Sequence, residues 1–389
     1  MISISRLLCD GIGPGDHLRY GTDGDPSARS SQRPIVVWNC TRRCNLKCVH
    51  CYADALSDET NSEMTTEQGK RFIEQLARFG VPVLLFSGGE PMMRKDFLEL
   101  AEFAGSKGLG VVVSTNGTLI SPETADAMTR IGFREVGISL DGVGDVNDRF
   151  RGVQRAFERA LRGVRYCVER GQRVSLRMTI TRANHQEVPA VLDLVERERI
   201  DRVCFYHLAY SGRGNDLRET DLSHDQARQV MDLIFDRTRD FYDRGLRKEI
   251  LTVGNHADGV YLYQKLRDAD PGRADNVLSL LSRNGGNNSG VLIAAVNERG
   301  DVHPDQFWRN VTLGNVLERD FGGIWLDTTN PVMRGLKDRK GLLKGRCSKC
   351  QYLHICNGNL RARAEAVYDD MWQEDPACYL TDQEIGLGG

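Results

Sequence analysis

Cysteine carries the chemistry this sequence advertises. The chain has 389 residues and 11 cysteines. Cys40, Cys44, Cys48 and Cys51 sit together in CTRRCNLKCVHC, and Cys347, Cys350, Cys356 and Cys378 sit together near the C-terminus. Cys9, Cys167 and Cys204 stand alone. In a reducing compartment, clustered cysteines are more often metal ligands or reactive thiols than disulfides. The spacing Cys44-x3-Cys48-x2-Cys51 puts three thiolates on one loop. Zinc takes four ligands, usually in two pairs. An iron–sulfur cube held by only three thiolates keeps one iron open to a substrate or cofactor. On spacing alone, a zinc knuckle or a set of free thiols stays open beside the cube.

Composition removes several other chemistries. Hydrophobic residues make up 40% and charged residues 27% of the chain, which predicts a sizeable globular core. A formal net charge of −2 argues against a nucleic-acid protein held by bulk electrostatics. No apolar run approaches the roughly 18 residues of a membrane span, and MISISRLLCDGIGPGD lacks a signal-peptide core. A cytoplasmic protein without nucleic-acid or membrane partners is expected.

The cysteine loop needs elements to hold it. From Ile35 onward, strands and helices alternate: PIVVWNC, VPVLLFSGG, LGVVVST, REVGISLDG, QRVSLRMTITR and DRVCFYHLA read as six strands with amphipathic helices between them. Such alternation predicts a parallel α/β sheet with right-handed crossovers. The strand tips CTRRC, SGGEP, TNGT, SLDG, TRAN and YSGRG then lie on one face, which carries the chemistry. Residues 1–33, with the run GTDGDPSARSSQRP at their end, are expected as an N-terminal extension or loop. The barrel is expected over 34–215, a helical connection over 216–290, and a metal-braced domain over 291–389 that starts with a hairpin turning at Glu298–Asp301.

With these residues in view, the chain resembles the radical S-adenosylmethionine (SAM) enzymes. Their signature is a CxxxCxxC loop with an aromatic at its end, here Tyr52. The resemblance implies a partial (β/α)6 barrel and a [4Fe-4S] cluster on Cys44, Cys48 and Cys51. It implies SAM bound by Tyr52, Gly88, Gly89, Glu90, Pro91, Asn116, Ser139, Asp141, Arg177 and Leu208. Physically, glycines let the backbone approach a ligand, Glu90 is available to orient the SAM ammonium, and Arg177 suits its carboxylate. The implied chemistry is one-electron cleavage of SAM to methionine and a 5′-deoxyadenosyl radical that removes hydrogen from an unactivated carbon. Cys40 falls outside the spacing and is expected to be a bystander.

The second group resembles the SPASM/twitch-type C-terminal extension, which carries auxiliary [4Fe-4S] clusters on seven cysteines. Three of those positions read Ala294, Asp305 and Leu360 here. The resemblance therefore implies one auxiliary cube on Cys347, Cys350, Cys356 and Cys378, two clusters in all, with a four-cysteine zinc as the alternative.

HLRYG, NHADGVYLY, HPDQFWRN and EDPACYLTD resemble the branch that acts on iron tetrapyrroles in haem and haem d1 biosynthesis. That resemblance implies removal of acetate side chains from 12,18-didecarboxysiroheme to give iron-coproporphyrin III. Propionate chemistry of haem d1 synthesis and SPASM-type peptide modification are the alternatives. A flavodoxin- or ferredoxin-type reductant is implied. A macrocycle rich in carboxylates calls for arginines: Arg42, Arg43, Arg213, Arg309, Arg361 and Arg363 are candidates. Trp308 and Phe307 are candidates for stacking, and His17, His207, His256 and His303 for the substrate iron. No catalytic residue is assigned; His256, His303 and Asp305 are the candidates.

Overall fold

A computed structural model describes residues 1–21, 33–56 and 62–388 of the chain. Most of the loop expected at GTDGDPSARSSQRP, residues 22–32, lies outside the described residues.

The expected alternation forms. Strands β2 (Ile35–Thr41), β3 (Val83–Gly88), β4 (Gly110–Thr115), β5 (Glu135–Ser139), β6 (Val174–Ile180) and β7 (Arg202–His207) pair in parallel and in sequence order. Each crossover carries a helix whose ends are written in its sequence. Thr65 and Gln68 form a reciprocal capping box on helix Thr66–Phe79, and Gly80 stops it at φ 83°. Ser121 caps helix Pro122–Ile131, which begins on proline and ends on Gly132. Trp38, Phe72, Phe86 and Phe97 pack between sheet and helices, with Trp38–Phe72 ring centroids 5.4 Å apart. Each such aromatic pair contributes about 0.5–1.5 kcal/mol beyond its area.

The sheet is larger than six strands. β8 (Glu249–Val253) adds in parallel to β7, inside a segment expected to be helical. β1 (Ile2–Ser3) caps that edge antiparallel to β8. The N-terminal residues differ from the expected loop for a physical reason. Ile2, Ile4 and Leu7 are apolar and fully buried, so strand β1 and helix Ile4–Cys9 join the core. On the other edge, β9 (Ile293–Val296) pairs in parallel with β2 and forms the expected hairpin with β10 (Asp301–His303); β11 (Gly314–Asn315) closes the sheet. One 11-stranded sheet results, in the order β1-β8-β7-β6-β5-β4-β3-β2-β9-β10-β11.

At the N-terminal ends of the strands, charge fills the barrel. Glu135 and Glu249 take Arg202 between them, with Arg202 Nη2 2.7 Å from Glu249 Oε2, and Arg19 and Arg173 also reach Glu249. The opposite end, where the strand tips gather, is left for chemistry.

Candidate active site

The cysteine loop leaves β2 through a register break at Asn39–Thr41. Such a bulge bends a strand and re-aims the chain beyond it. Neighbouring tips then grip the loop. Gly89 N–H donates to Thr41 O at 2.8 Å and Glu90 N–H to Arg43 O at 2.7 Å. The approach is close enough to demand glycine: a Cβ on Gly88 would lie 2.3 Å from Thr41 O, and one on Gly89 2.2 Å from Arg43 O. On the far side, Lys47 N–H donates to Arg151 O and Val49 N–H to Phe150 O, at 2.9 and 3.0 Å.

Donors converge on the sulfurs. Leu46 N–H points at Cys44 Sγ and Ala55 N–H at Cys51 Sγ, both at 3.4 Å. Asn116 Nδ2 lies 3.8 Å from Cys44 Sγ, and Arg151 Nη1 lies 3.6 Å from Cys48 Sγ. Burial pushes the free Cys44 thiol up to about 12 and raises Cys48 as well. Three neighbouring sulfurs ringed by N–H donors fit an iron–sulfur cube, whose sulfurs accept such bonds. Cys40 is turned elsewhere: it is fully buried in β2, with its thiol donating to Ser87 O at 3.5 Å.

Around this loop, the residues expected to meet SAM divide into two sets. Tyr52 OH bonds Ser87 Oγ at 2.9 Å and Asn39 Oδ1 at 3.2 Å, and its ring meets Phe307 edge-on at 5.3 Å. Asn116 bridges Asn45 and Cys44. Ser139 ends β5 half-buried. Arg177 Nη2 lies 3.5 Å from Glu135 Oε1, while its Nε is buried without a hydrogen-bond partner. Pro91 opens a short turn, and Leu208 is buried with its carbonyl accepting from Arg363.

Two carboxylates of this set are bonded within the protein. Glu90 is fully buried and accepts from Thr115 Oγ1, Asn116 N–H and Met92 N–H at 2.8, 2.7 and 3.1 Å. It ties the tip of β3 to that of β4 instead of reaching toward a ligand cation. Asp141 is fully buried as well; it accepts from Thr179 N–H and faces Arg151 Nη2 at 2.7 Å and His50 Nε2 at 3.2 Å.

The second cysteine group also converges. Cys347 lies in the 3-10 turn Gly345–Lys349, Cys350 follows it, Cys356 ends helix Leu353–Cys356, and all three line one cavity with Cys378. Burial and the three neighbouring thiols raise the Cys356 thiol far above its usual value. Main-chain donors from Tyr352 and Leu380 reach Cys350 and Cys378. All four thiols face this one space. The three non-cysteine positions are packed into the fold: Ala294 is buried in β9, Leu360 N–H caps Asp375, and Asp305 accepts from Ser289 Oγ and Phe307 N–H. Asp305 thus closes a turn.

Several substrate candidates are likewise bonded within the protein. Arg363 is fully buried, forked onto Asp375 at 2.7 and 2.9 Å, and its remaining donors hold the carbonyls of Leu208 and Gly254. Arg361 donates to the carbonyls of Gly358, Met371 and Gln373 and keeps Nε buried without a hydrogen-bond partner. Trp308 is fully buried with Ala209 and Leu336, and its indole donates to Glu365 at 2.6 Å. His256 is buried under Asn359 and the Met1 amine, and His207 pairs with Asp258 at 3.0 Å. Arg42 and Arg213 both reach Asp54 on the cysteine loop, and Arg43 faces Glu63 at 3.6 Å.

His303 and Arg309, like His256 at Nδ1, each keep a buried polar atom without a hydrogen-bond partner. His303 Nδ1 contacts Val311 O at 2.8 Å, and its buried Nε2 has no hydrogen-bond partner. Burial holds this imidazole below its usual value, hence neutral. Arg309 faces Glu298 at 3.5 Å through Nη2 and keeps Nη1 buried without a hydrogen-bond partner. Sequence reasoning missed Arg151, His50 and Asn45 around the cysteines. Their signal was faint: Arg151 sits one helix beyond SLDG and meets Cys48 only through the crossover.

A parallel barrel that delivers a three-cysteine loop to its tips, beside SGGEP, defines the radical SAM class. The model of the Radical SAM superfamily matches residues 38–195. The chain belongs to this superfamily and, within it, to the haem-biosynthesis branch, and it is an enzyme: it is 53% identical to the Fe-coproporphyrin III synthase of Methanosarcina barkeri over 99% of each chain. It is 43% identical to the pre-heme d1 synthase of Dinoroseobacter shibae, covering 92% of this chain and 89% of that one. Among solved structures, Streptococcus suis SuiB bound to precursor peptide SuiA has the same fold, at TM-score 0.72 and 19% identity over 90% of this chain and 76% of that one. Superfamily membership implies a [4Fe-4S] cluster and SAM. Among the described residues, no helix is long and apolar enough to cross a membrane.

Proposed function

We propose that this chain forms iron-coproporphyrin III by removing the acetate side chains of 12,18-didecarboxysiroheme. The observation that carries this reading is the 53% identity, along the whole chain, to a protein named Fe-coproporphyrin III synthase. Cys44, Cys48 and Cys51 hold the SAM-cleaving cluster; Cys347, Cys350, Cys356 and Cys378 hold an auxiliary one. Bound together, the first cluster and SAM supply hydrogen-atom abstraction at an unactivated carbon.

The chain's own residues do the rest. Tyr52, Asn116, Ser139, Arg177, Leu208 and the backbone of Gly88 to Pro91 surround SAM. Phe307, against Tyr52, shields that space and offers a face to a flat ring. Arg309 Nη1 receives a substrate carboxylate, and the neutral Nε2 of His303 is a ligand for the substrate iron. The remaining parts of the reading are a cytoplasmic location, a flavodoxin- or ferredoxin-type reductant, and a barrel over 34–215 joined by 216–290 to an auxiliary domain over 291–389.

The relation to a pre-heme d1 synthase keeps propionate chemistry as the second reading. Incubating reconstituted enzyme with didecarboxysiroheme, SAM and dithionite separates them by product mass. Loss of two acetate groups is expected. Loss from the propionates favours the second reading, and an unchanged macrocycle with SAM still cleaved sinks both.

A further inference from the structure

The cysteine loop is tethered twice to the crossover after β5, and only one tether is needed to hold it. Main-chain bonds from Lys47 and Val49 to the carbonyls of Arg151 and Phe150 already fix the loop. Gly152 completes that seam, since a Cβ there would lie 2.5 Å from Lys47 O. The Arg151 side chain adds something separate. It is buried, it ends the short helix Asp145–Arg151, and it presents Nη1 to Cys48 Sγ at 3.6 Å and Nη2 to Asp141 Oδ2 at 2.7 Å. Burying a guanidinium is costly unless a counter-charge meets it. Asp141, fully buried and fixed by Thr179 N–H, is that counter-charge, with His50 Nε2 on the same oxygen. No loop-closing role requires a cation on a ligand sulfur.

A donor and a positive charge on a ligating sulfur favour the more negative, reduced form of an iron–sulfur cluster. We infer that Arg151 is a positioning residue that raises the reduction potential of the cluster on Cys44, Cys48 and Cys51, with Asp141 as the counter-charge that moderates it. The inference rests on the cluster assignment proposed above. It implies that the two partners pull in opposite directions. Arg151→Gln removes the cation and lowers the potential. Asp141→Asn removes only the counter-charge and raises it.

The test is an anaerobic redox titration of the reconstituted full chain, followed by electron paramagnetic resonance. The signal that changes on adding SAM identifies the three-cysteine cluster. Iron is counted in parallel. At a fixed potential near the wild-type midpoint, the reduced-to-oxidised ratio is expected to fall about tenfold in Arg151→Gln, as outer partners of metal sites commonly act. Tenfold is 59 mV for one electron. The ratio is expected to rise in Asp141→Asn. No shift in either variant overturns the inference, as do shifts of the same sign. Loss of the cluster in both Arg151→Gln and Arg151→Lys also overturns it, because Arg151 is then a clamp and nothing more. A wild-type chain with no SAM-responsive cluster overturns the proposed function, and this inference with it.

Discussion

The two cysteine groups are held in different ways. Cys44, Cys48 and Cys51 ride on one loop, and that loop is gripped from outside by the tips of β3 and β4 and the crossover after β5. Its ligands are close in sequence, while its supports come from across the barrel. Among Cys347, Cys350, Cys356 and Cys378, the first three fall within ten residues and Cys378 joins from further along the chain, with Asn287 N–H on Cys356 O as a distant support. A site that must take a cofactor at an open iron needs its surroundings placed accurately. The fully ligated cluster proposed for the second group would need only to be enclosed.

This contrast is broken most severely by removing ligands. Replacing Cys44, Cys48 and Cys51 with Ala is expected to abolish 5′-deoxyadenosine formation and to remove about four irons per chain. Retained cleavage would falsify the assignment. Cys350→Ala is expected to remove a similar amount of iron yet leave SAM cleavage measurable; unchanged iron content would end the auxiliary-cluster reading.

A support is the next target. Gly89→Ala puts a methyl group against Arg43 O. Overpacking of this kind costs about 1–3 kcal/mol and should displace the first loop alone. Iron analysis should then find the SAM-responsive cluster depleted and the other intact, whereas equal depletion of both would mean the two sites are not independently held. The smallest effect is expected from Cys40→Ala, which touches only β2 and Ser87: cluster content and cleavage should stay within error of wild type, and loss of either would make Cys40 a participant.

The barrel was legible because six strands and their helices repeat one pattern, with capping residues such as Thr65 and Ser121 marking the helix starts. β8 was not, since EILTV comes after a charged run that reads as a continuing helix. β1 is two residues long and exists only because Ile2, Ile4 and Leu7 are buried. In the site, the cysteine spacings were informative by themselves. A sequence does not reveal which guanidinium or carboxylate already has partners: Arg363 is forked onto Asp375, and Glu90 accepts from Thr115 and Asn116. Arg151 escaped notice because its contact with Cys48 spans 103 residues of chain.

The seat of β9 beside β2 bears on how the chain is made. β2 is complete when Thr41 is, but its outer neighbour begins at Ile293. Synthesis at about 5–20 residues per second leaves that edge without a partner for roughly 13–50 s. For that interval the strand leading into the cysteine loop presents an unpaired backbone, Val36, Val37 and Trp38 among its residues, of the sort that draws in other chains. The nascent enzyme thus carries an open edge beside its future cluster, and slowing elongation ahead of Ile293 would lengthen the exposure.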